Sequence, residues 1–198
     1  HYRMMKINLQ TETTAKSNDT KKKIVQLETK DGKIESLEYD SLILATGATP
    51  FILPIKGCEL SNVFAMRTLD DGRKIQEAMK NAHSAAIIGA GFIGLETAHA
   101  MIENDIQTTI IELLPSVIPT SFDHDTADYI QKKVEENGVK MLMGKRVTEI
   151  LGDEKVKCVK VGDVEVEADL VIMATGVRPT VDLAKEIGCE LGITRAIR

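Results

Sequence analysis

Gly89, Gly91 and Gly94 stand at G-x-G-x-x-G spacing directly after the apolar run 85–88, and Glu112 closes a second β-branched run 18 residues beyond the last glycine. Each residue type has a physical job in that pattern. Gly89 permits a tight turn out of a strand, Gly91 lets the backbone approach a pyrophosphate, and Gly94 lets a helix pack closely on the strand. The pyrophosphate then meets the free N–H groups and positive dipole end of that helix. Ala90, Phe92 and Ile93 fill the turn between the glycines, and Leu113 follows the acid. The Glu112 carboxylate suits the free hydroxyls of an adenosine ribose and repels a 2′-phosphate. No Lys or Arg follows it before Lys132. The pattern predicts a dinucleotide site that takes NADH in preference to NADPH.

The elements that must position these residues follow from periodicity and punctuation. A helix over 91–104 ends at Asn104-Asp105, and a strand over 106–112 carries the acid. Pro115 and Pro119 mark a loop. Ser121 is a cap for a helix reaching Asn137, with Ala127, Ile130 and Val134 on one face and Gly138 as its stop. A third strand follows over 139–143, then an antiparallel excursion over 147–151, 156–161 and 164–167, then a buried strand over 169–175. Upstream, strands 24–29 and 34–39 are joined by a Lys30-Asp31-Gly32 turn. Residues 41–46 read as a continuous apolar strand stopped by Gly47, and Pro50, Pro54 and Gly57 punctuate an irregular linker. Thr68 with Asp71 makes a capping box that opens a helix to about residue 81, slightly weakened by Gly72.

Composition narrows the class of protein. A chain of 198 residues, 43% hydrophobic and 28% charged, is an ordinary globular chain of one domain or a little more. Its net charge of −5 argues against a nucleic-acid partner, and Lys21, Lys22 and Lys23 read as a solvated loop. No apolar run approaches a membrane span, and no signal peptide is visible, so no membrane partner is expected. Cys58, Cys158 and Cys189 are far apart, which suits idle thiols in a reducing cytoplasm. His1, His83, His99 and His124 form no cluster, and no metal site is expected.

An internal repeat is also present. Asp40-Ser41-Leu42-Ile43-Leu44-Ala45-Thr46-Gly47-Ala48-Thr49-Pro50 matches Asp169-Leu170-Val171-Ile172-Met173-Ala174-Thr175-Gly176-Val177-Arg178-Pro179, 129 residues later. Each copy follows a hairpin. The pattern implies two related nucleotide-binding domains, of which only the second has its glycine-rich turn in this chain.

Two such domains, one nested in the other, resemble the FAD- and NAD(P)H-dependent pyridine nucleotide-disulfide oxidoreductases. The resemblance rests on Ala45-Thr46-Gly47, residues 87–96, residues 109–112, and Ala174-Thr175-Gly176-Val177-Arg178-Pro179. The segment Arg67-Thr68-Leu69-Asp70-Asp71 points to the branch of NADH oxidases, coenzyme A-disulfide reductases and rubredoxin reductases. Thr180 and Thr108 depart from the family pattern, and Thr108 is expected to loosen packing slightly.

The resemblance implies an α/β, Rossmann-like FAD/NAD(P)-binding fold with a central parallel sheet, flanking helices and a β-meander. It implies three parts: a partial FAD-binding domain and linker over 1–81, an NAD-binding domain over 82–180, and a return segment over 181–198. It places Phe92 as a gate between flavin and nicotinamide and Glu96 at the nicotinamide carboxamide. Thr175, Gly176 and Val177 fall near the nicotinamide; Ala45, Thr46, Gly47 and Arg67 fall on the flavin side. The implied function is the NADH-binding portion of an oxidoreductase that passes hydride from NADH to FAD and on to a disulfide, an oxygen species or a small redox protein. The alternative is a flavin-free NAD-binding regulatory module. The flavin loop, the redox cysteine of some members and the dimerisation domain lie outside these residues. The chain is therefore read as an internal fragment with no catalytic residue of its own, inactive alone, with an incomplete FAD site and a tendency to form homodimers.

Overall fold

The computed structural model describes Tyr2 and residues 4–198. They form two compact units, His1–Ala48 with Arg178–Arg198 and Thr49–Val177. The first contains a three-stranded antiparallel sheet of β1 (Thr13–Asp19), β2 (Ile24–Thr29) and β3 (Ile34–Glu38), in the order β1-β2-β3. Gly32 takes φ 76° in the turn between β2 and β3, where the Thr29 N–H donates to the Lys33 carbonyl. The strand β1 is not legible in the sequence, because Thr-Thr-Ala-Lys-Ser-Asn-Asp has no apolar alternation; its register against β2 defines it.

The second unit is built on a parallel sheet in the order β5-β12-β6-β7-β8. Its strands are β5 (Val63–Phe64), β6 (Ser84–Ile88), β7 (Gln107–Ile111), β8 (Lys140–Leu142) and β12 (Leu170–Met173). Strands covered on both faces read as unbroken apolar runs, and β12 is buried throughout. Alternate residues of β6 serve opposite layers. Ala85 and Ile87 pack with Ile75, Ala98, Met101 and Ala127 from α1 (Leu69–Met79), α2 (Phe92–Ile102) and α3 (His124–Glu136). Ala86 and Ile88 pack with Val147, Ile150, Val156, Val159 and Val166 from the meander β9 (Val147–Gly152), β10 (Val156–Val161) and β11 (Val164–Glu167). This three-layer α/β arrangement is the expected fold class.

Several boundaries differ from the sequence reading. Residues 49–81 belong to the same compact unit as the glycine turn. The physical reason is packing: β5 pairs with β12, and Ile75 of α1 sits in the same apolar cluster as Ala85. The expected linker is likewise packed, with Leu53, Ile55, Cys58 and Leu60 against the meander-side core. The helix expected from Ser121 is capped by Asp123, whose carboxylate accepts the Thr126 N–H at 3.0 Å. Ser121 is used instead in a turn, donating its N–H to the Ile118 carbonyl. Buried Thr108 hydrogen-bonds the Ile106 carbonyl at 2.9 Å, which satisfies its hydroxyl.

The clearest correction concerns the repeat. Residues 42–47 form no strand, and Leu42 and Ile43 are 37% and 88% exposed. In the second copy the matching stretch begins within β12 (Leu170–Met173), held between β5 and β6. A strand requires partners for its backbone groups, and among the described residues no strand pairs with 42–45. The chain passes from one unit to the other within β4 (Ala48–Pro50) and β13 (Val177–Pro179). The return segment carries α4 (Asp182–Glu186).

Asp169, at the start of the second repeat's strand, ties that strand to β6. Its carboxylate accepts the His83 N–H at 2.8 Å, the Ser84 N–H at 3.0 Å and the Ser84 hydroxyl at 3.1 Å. Burial raises its pKa, but the combined hydrogen bonds from His83 and Ser84 hold it below the ordinary value. A carboxyl depressed in the folded state stabilises above its unfolded pKa of about 3.9 and loses that contribution as pH falls through the folded value. Asp169→Asn is therefore expected to lower the urea midpoint at pH 7 and pH 5. The gap to the parent chain narrows at pH 3. A constant gap across the three pH values would show that ionisation is not what matters.

Candidate functional site

The glycine turn connects β6 to α2. Gly89 has φ 112°, and a Cβ there would lie within 3 Å of the Ala174 carbonyl oxygen at the end of β12. A Cβ on Gly94 would strike the Gly89 carbonyl oxygen, so the first turn of α2 rests directly on the strand exit. Gly91 differs. It is the N-cap of α2, and a Cβ built on it meets nothing within 4 Å. The other long helices close their N-termini with side chains: Thr68 accepts the Asp71 N–H in α1, and Asp123 accepts the Thr126 N–H in α3. No side chain caps α2. The positive end of its dipole thus lies beside a Gly91 with open space where a side chain would stand, which fits an anionic pyrophosphate.

Glu112 stands at the end of β7, half-buried, and its two oxygens are both engaged. One accepts the Ala90 N–H at 2.7 Å and the other the Leu114 N–H at 2.8 Å. A carboxylate has about four acceptor sites, so both oxygens retain capacity for ribose hydroxyls. The Ala90 carbonyl in turn accepts the Ile118 N–H at 3.1 Å. Ala90 is thus held on both sides by the segment after β7. The backbone N–H of Lys145 donates to the Glu112 carbonyl at 2.8 Å, which joins the Lys145 backbone, in the loop after β8, to the end of β7. Reading along the chain misses it, because 33 positions separate the two residues in sequence.

Phe92 and Ile93 open α2 and are exposed; the Phe92 ring meets Phe122 edge-on, with centroids 6.2 Å apart. Phe122 carried no signal in the sequence, since it lies in an irregular loop with no motif. Glu96, one turn further along α2, lines an open groove of about 860 Å³ with Met66, Ile75 and Met79. Leu113 is exposed beside Glu112. Thr175 and Gly176 follow the end of β12, with the neighbouring Ala174 carbonyl at Gly89. Val177 is exposed. The structure thus gathers Gly89, Ala90, Gly91, Gly94, Glu112 and Thr175 at one end of the parallel sheet, where ligands of such folds sit.

The residues expected on the flavin side are divided. Ala45, Thr46 and Gly47 belong to the first unit and Arg67 to the second. The Arg67 backbone N–H donates to Asp71. Among the described residues, the glycine cradle at 89–94 is the one βα turn that fits a pyrophosphate, and residues 45–47 supply no second one. The three cysteines are free, and burial pushes the Cys158 thiol up, with the Glu165 carboxylate adding to the effect. No group of three or more potential metal ligands occurs among the described residues. No helix among them is long and apolar enough to cross a membrane.

The family profile described as pyridine nucleotide-disulphide oxidoreductase matches residues 3–198. An NADH oxidase of Methanocaldococcus jannaschii is 42% identical over 188 residues, covering 94% of this chain and 42% of that protein. The structure of an NAD-dependent persulfide reductase from A. fulgidus superposes with a TM-score of 0.90 at 34% identity, covering 96% of this chain and 36% of the other. A water-forming NADH oxidase from Lactobacillus brevis, solved with NADH bound, gives 0.89 at 26% identity, covering 97% of this chain and 43% of the other. The chain spans less than half the length of each of these relatives.

Proposed function

We propose that this chain, which belongs to the pyridine nucleotide-disulphide oxidoreductase family, is the NADH-binding portion of an FAD-dependent oxidoreductase. Hydride from NADH would pass to flavin and on to a disulfide, an oxygen species or a small redox protein. The observation that carries this reading is the uncapped N-terminus of α2 at Gly91, with the Glu112 carboxylate held beside it by Ala90. A relative described as an NADH oxidase and a solved relative with NADH bound support it.

In this reading the α2 N-terminus and the Gly91 backbone bind the pyrophosphate, and Glu112 accepts the ribose hydroxyls. The Phe92 ring, resting on Phe122, shields the space in front of the turn, and Glu96 orients the carboxamide. When bound, the nicotinamide and flavin supply the hydride chemistry, and the protein supplies orientation and electrostatics. Ala45, Thr46, Gly47 and Arg67 would contribute on the flavin side.

Calorimetric titration of the purified chain with NADH, NADPH and FAD tests the proposal. NADH is expected to bind at least about tenfold more tightly than NADPH, since a 2′-phosphate would face the Glu112 carboxylate. The preparation is expected to be colourless, because the described residues supply no second glycine cradle for a flavin pyrophosphate. Equal or tighter NADPH binding would assign the decisive charge to Lys145, and Lys145→Ala would then restore the preference. Failure of both reduced nucleotides to bind would end this reading of the site.

A further inference from the structure

The two copies of the repeat make the same hydrogen bonds with exchanged partners. In the first unit, the Thr46 hydroxyl donates to the Thr180 carbonyl, and the Thr180 N–H donates to the Gly47 carbonyl at 3.0 Å. In the second unit, the Thr175 hydroxyl donates to the Phe51 carbonyl, and the Phe51 N–H donates to the Gly176 carbonyl at 2.9 Å. Thr46 and Thr175 are equivalent positions of the repeat, as are Gly47 and Gly176. Phe51 and Thr180 are also equivalent, each following the proline that closes its own copy. Each Ala-Thr-Gly turn therefore grips the residue that follows the other copy's proline. Both glycines have positive φ, 69° and 91°, the region that only glycine enters freely.

We propose that Thr46 and Thr175 are positioning residues that close a reciprocal pair of clasps, fixing the backbone of Gly47 and Gly176. For Thr175 the functional consequence rests on the NADH reading above, which places Gly176 near the nicotinamide. Each clasp has two hydrogen bonds, and both bind one residue: its carbonyl accepts from the threonine hydroxyl, and its N–H donates to the glycine carbonyl. The glycine peptide is thereby held in one orientation. The threonine proton is already committed, so the hydroxyl acts through Gly176 rather than as a donor to a nucleotide. Valine has the shape of threonine without the proton, and serine keeps the proton.

The experiment follows amide hydrogen exchange at Phe51 and Thr180 in the full 198-residue chain, together with NADH titration. Thr175→Val is expected to speed exchange at Phe51 about fivefold, the effect of one lost hydrogen bond, and to weaken NADH by a similar factor. Thr175→Ser is expected to restore both. Thr46→Val should speed exchange at Thr180, and Thr46→Ser should restore it. Thr108→Val removes a buried hydroxyl elsewhere in the sheet and should leave Phe51 exchange and NADH affinity at the parent values. Unchanged exchange at Phe51 in Thr175→Val overturns the clasp, as does failure of serine to restore it. Weakened NADH with unchanged exchange also overturns it, assigning the hydroxyl to the nucleotide directly. If the parent chain binds no NADH, the functional reading fails and the exchange measurements still decide the clasp.

Discussion

Gly94→Ala is expected to weaken NADH binding and to destabilise the chain, whereas Gly91→Ala is expected to weaken binding alone. The two glycines are three residues apart and face different surroundings. A Cβ at position 94 collides with the Gly89 carbonyl oxygen, which is backbone and cannot swing away. The first turn of α2 or the exit of β6 must move, and overpacking of this kind costs about 1–3 kcal/mol. Gly91 has an ordinary φ of −80°, and a methyl group added to it meets nothing within 4 Å. Alanine folds there without strain, but the methyl fills the space through which a pyrophosphate approaches the α2 N–H groups. Thermal unfolding and NADH titration of both variants separate the effects. The expected result is a lowered melting temperature for Gly94→Ala only, and at least about tenfold weaker NADH binding for both, which is about 1.4 kcal/mol. A Gly91→Ala chain that binds NADH as tightly as its parent would show that the phosphates lie elsewhere.

Glu112→Arg should reverse the preference between the two nucleotides and loosen the turn. The guanidinium removes the charge that repels a 2′-phosphate and replaces it with a bidentate phosphate donor. It also leaves the Ala90 and Leu114 N–H groups without their carboxylate. Each such hydrogen bond contributes about 1 kcal/mol net, so the melting temperature should fall even without nucleotide. Glu112→Gln separates the contributions. It keeps the length and one acceptor oxygen, so it should retain more stability than the arginine variant while losing much of the discrimination. The measurements are the ratio of NADH to NADPH dissociation constants and the unfolding midpoint of the free chain. An unchanged ratio in Glu112→Arg would mean that Glu112 holds the turn and does not read the ribose.

Much of the site is legible in the order of residues, because its requirements are local. A strand exit with φ 112° needs Gly89, a helix resting on that exit needs Gly94, and a backbone open to an anion needs Gly91. The backbone conformation at Gly89 and the contact of Gly94 with Gly89 are set within six residues, although a Cβ at Gly89 would also meet the distant Ala174 carbonyl. The capping box of Thr68 and Asp71 is legible for the same reason, and the structure shows both of its hydrogen bonds. The unbroken apolar runs of β6 and β12 mark strands covered on both faces.

What depends on distant partners is not legible. The repeat predicts two buried strands, and only the copy flanked by β5 and β6 became one. The strand β5 has two residues, too few for any periodicity, and exists because it pairs with β12. Lys145 reaches Glu112 through the adjacency of β7 and β8, and Phe122 reaches Phe92 through the path of a loop. Residue order alone dictates the glycine turn, the acid after it, the capping box of α1 and the family resemblance, since each rests on residues within a short stretch of chain. Packing settles which copy of the repeat folds as a strand, what Glu112 holds and what the two threonines grip. Hydrogen-bond partners across 22 to 134 positions are set by which elements come together, and no local pattern of residue types encodes that.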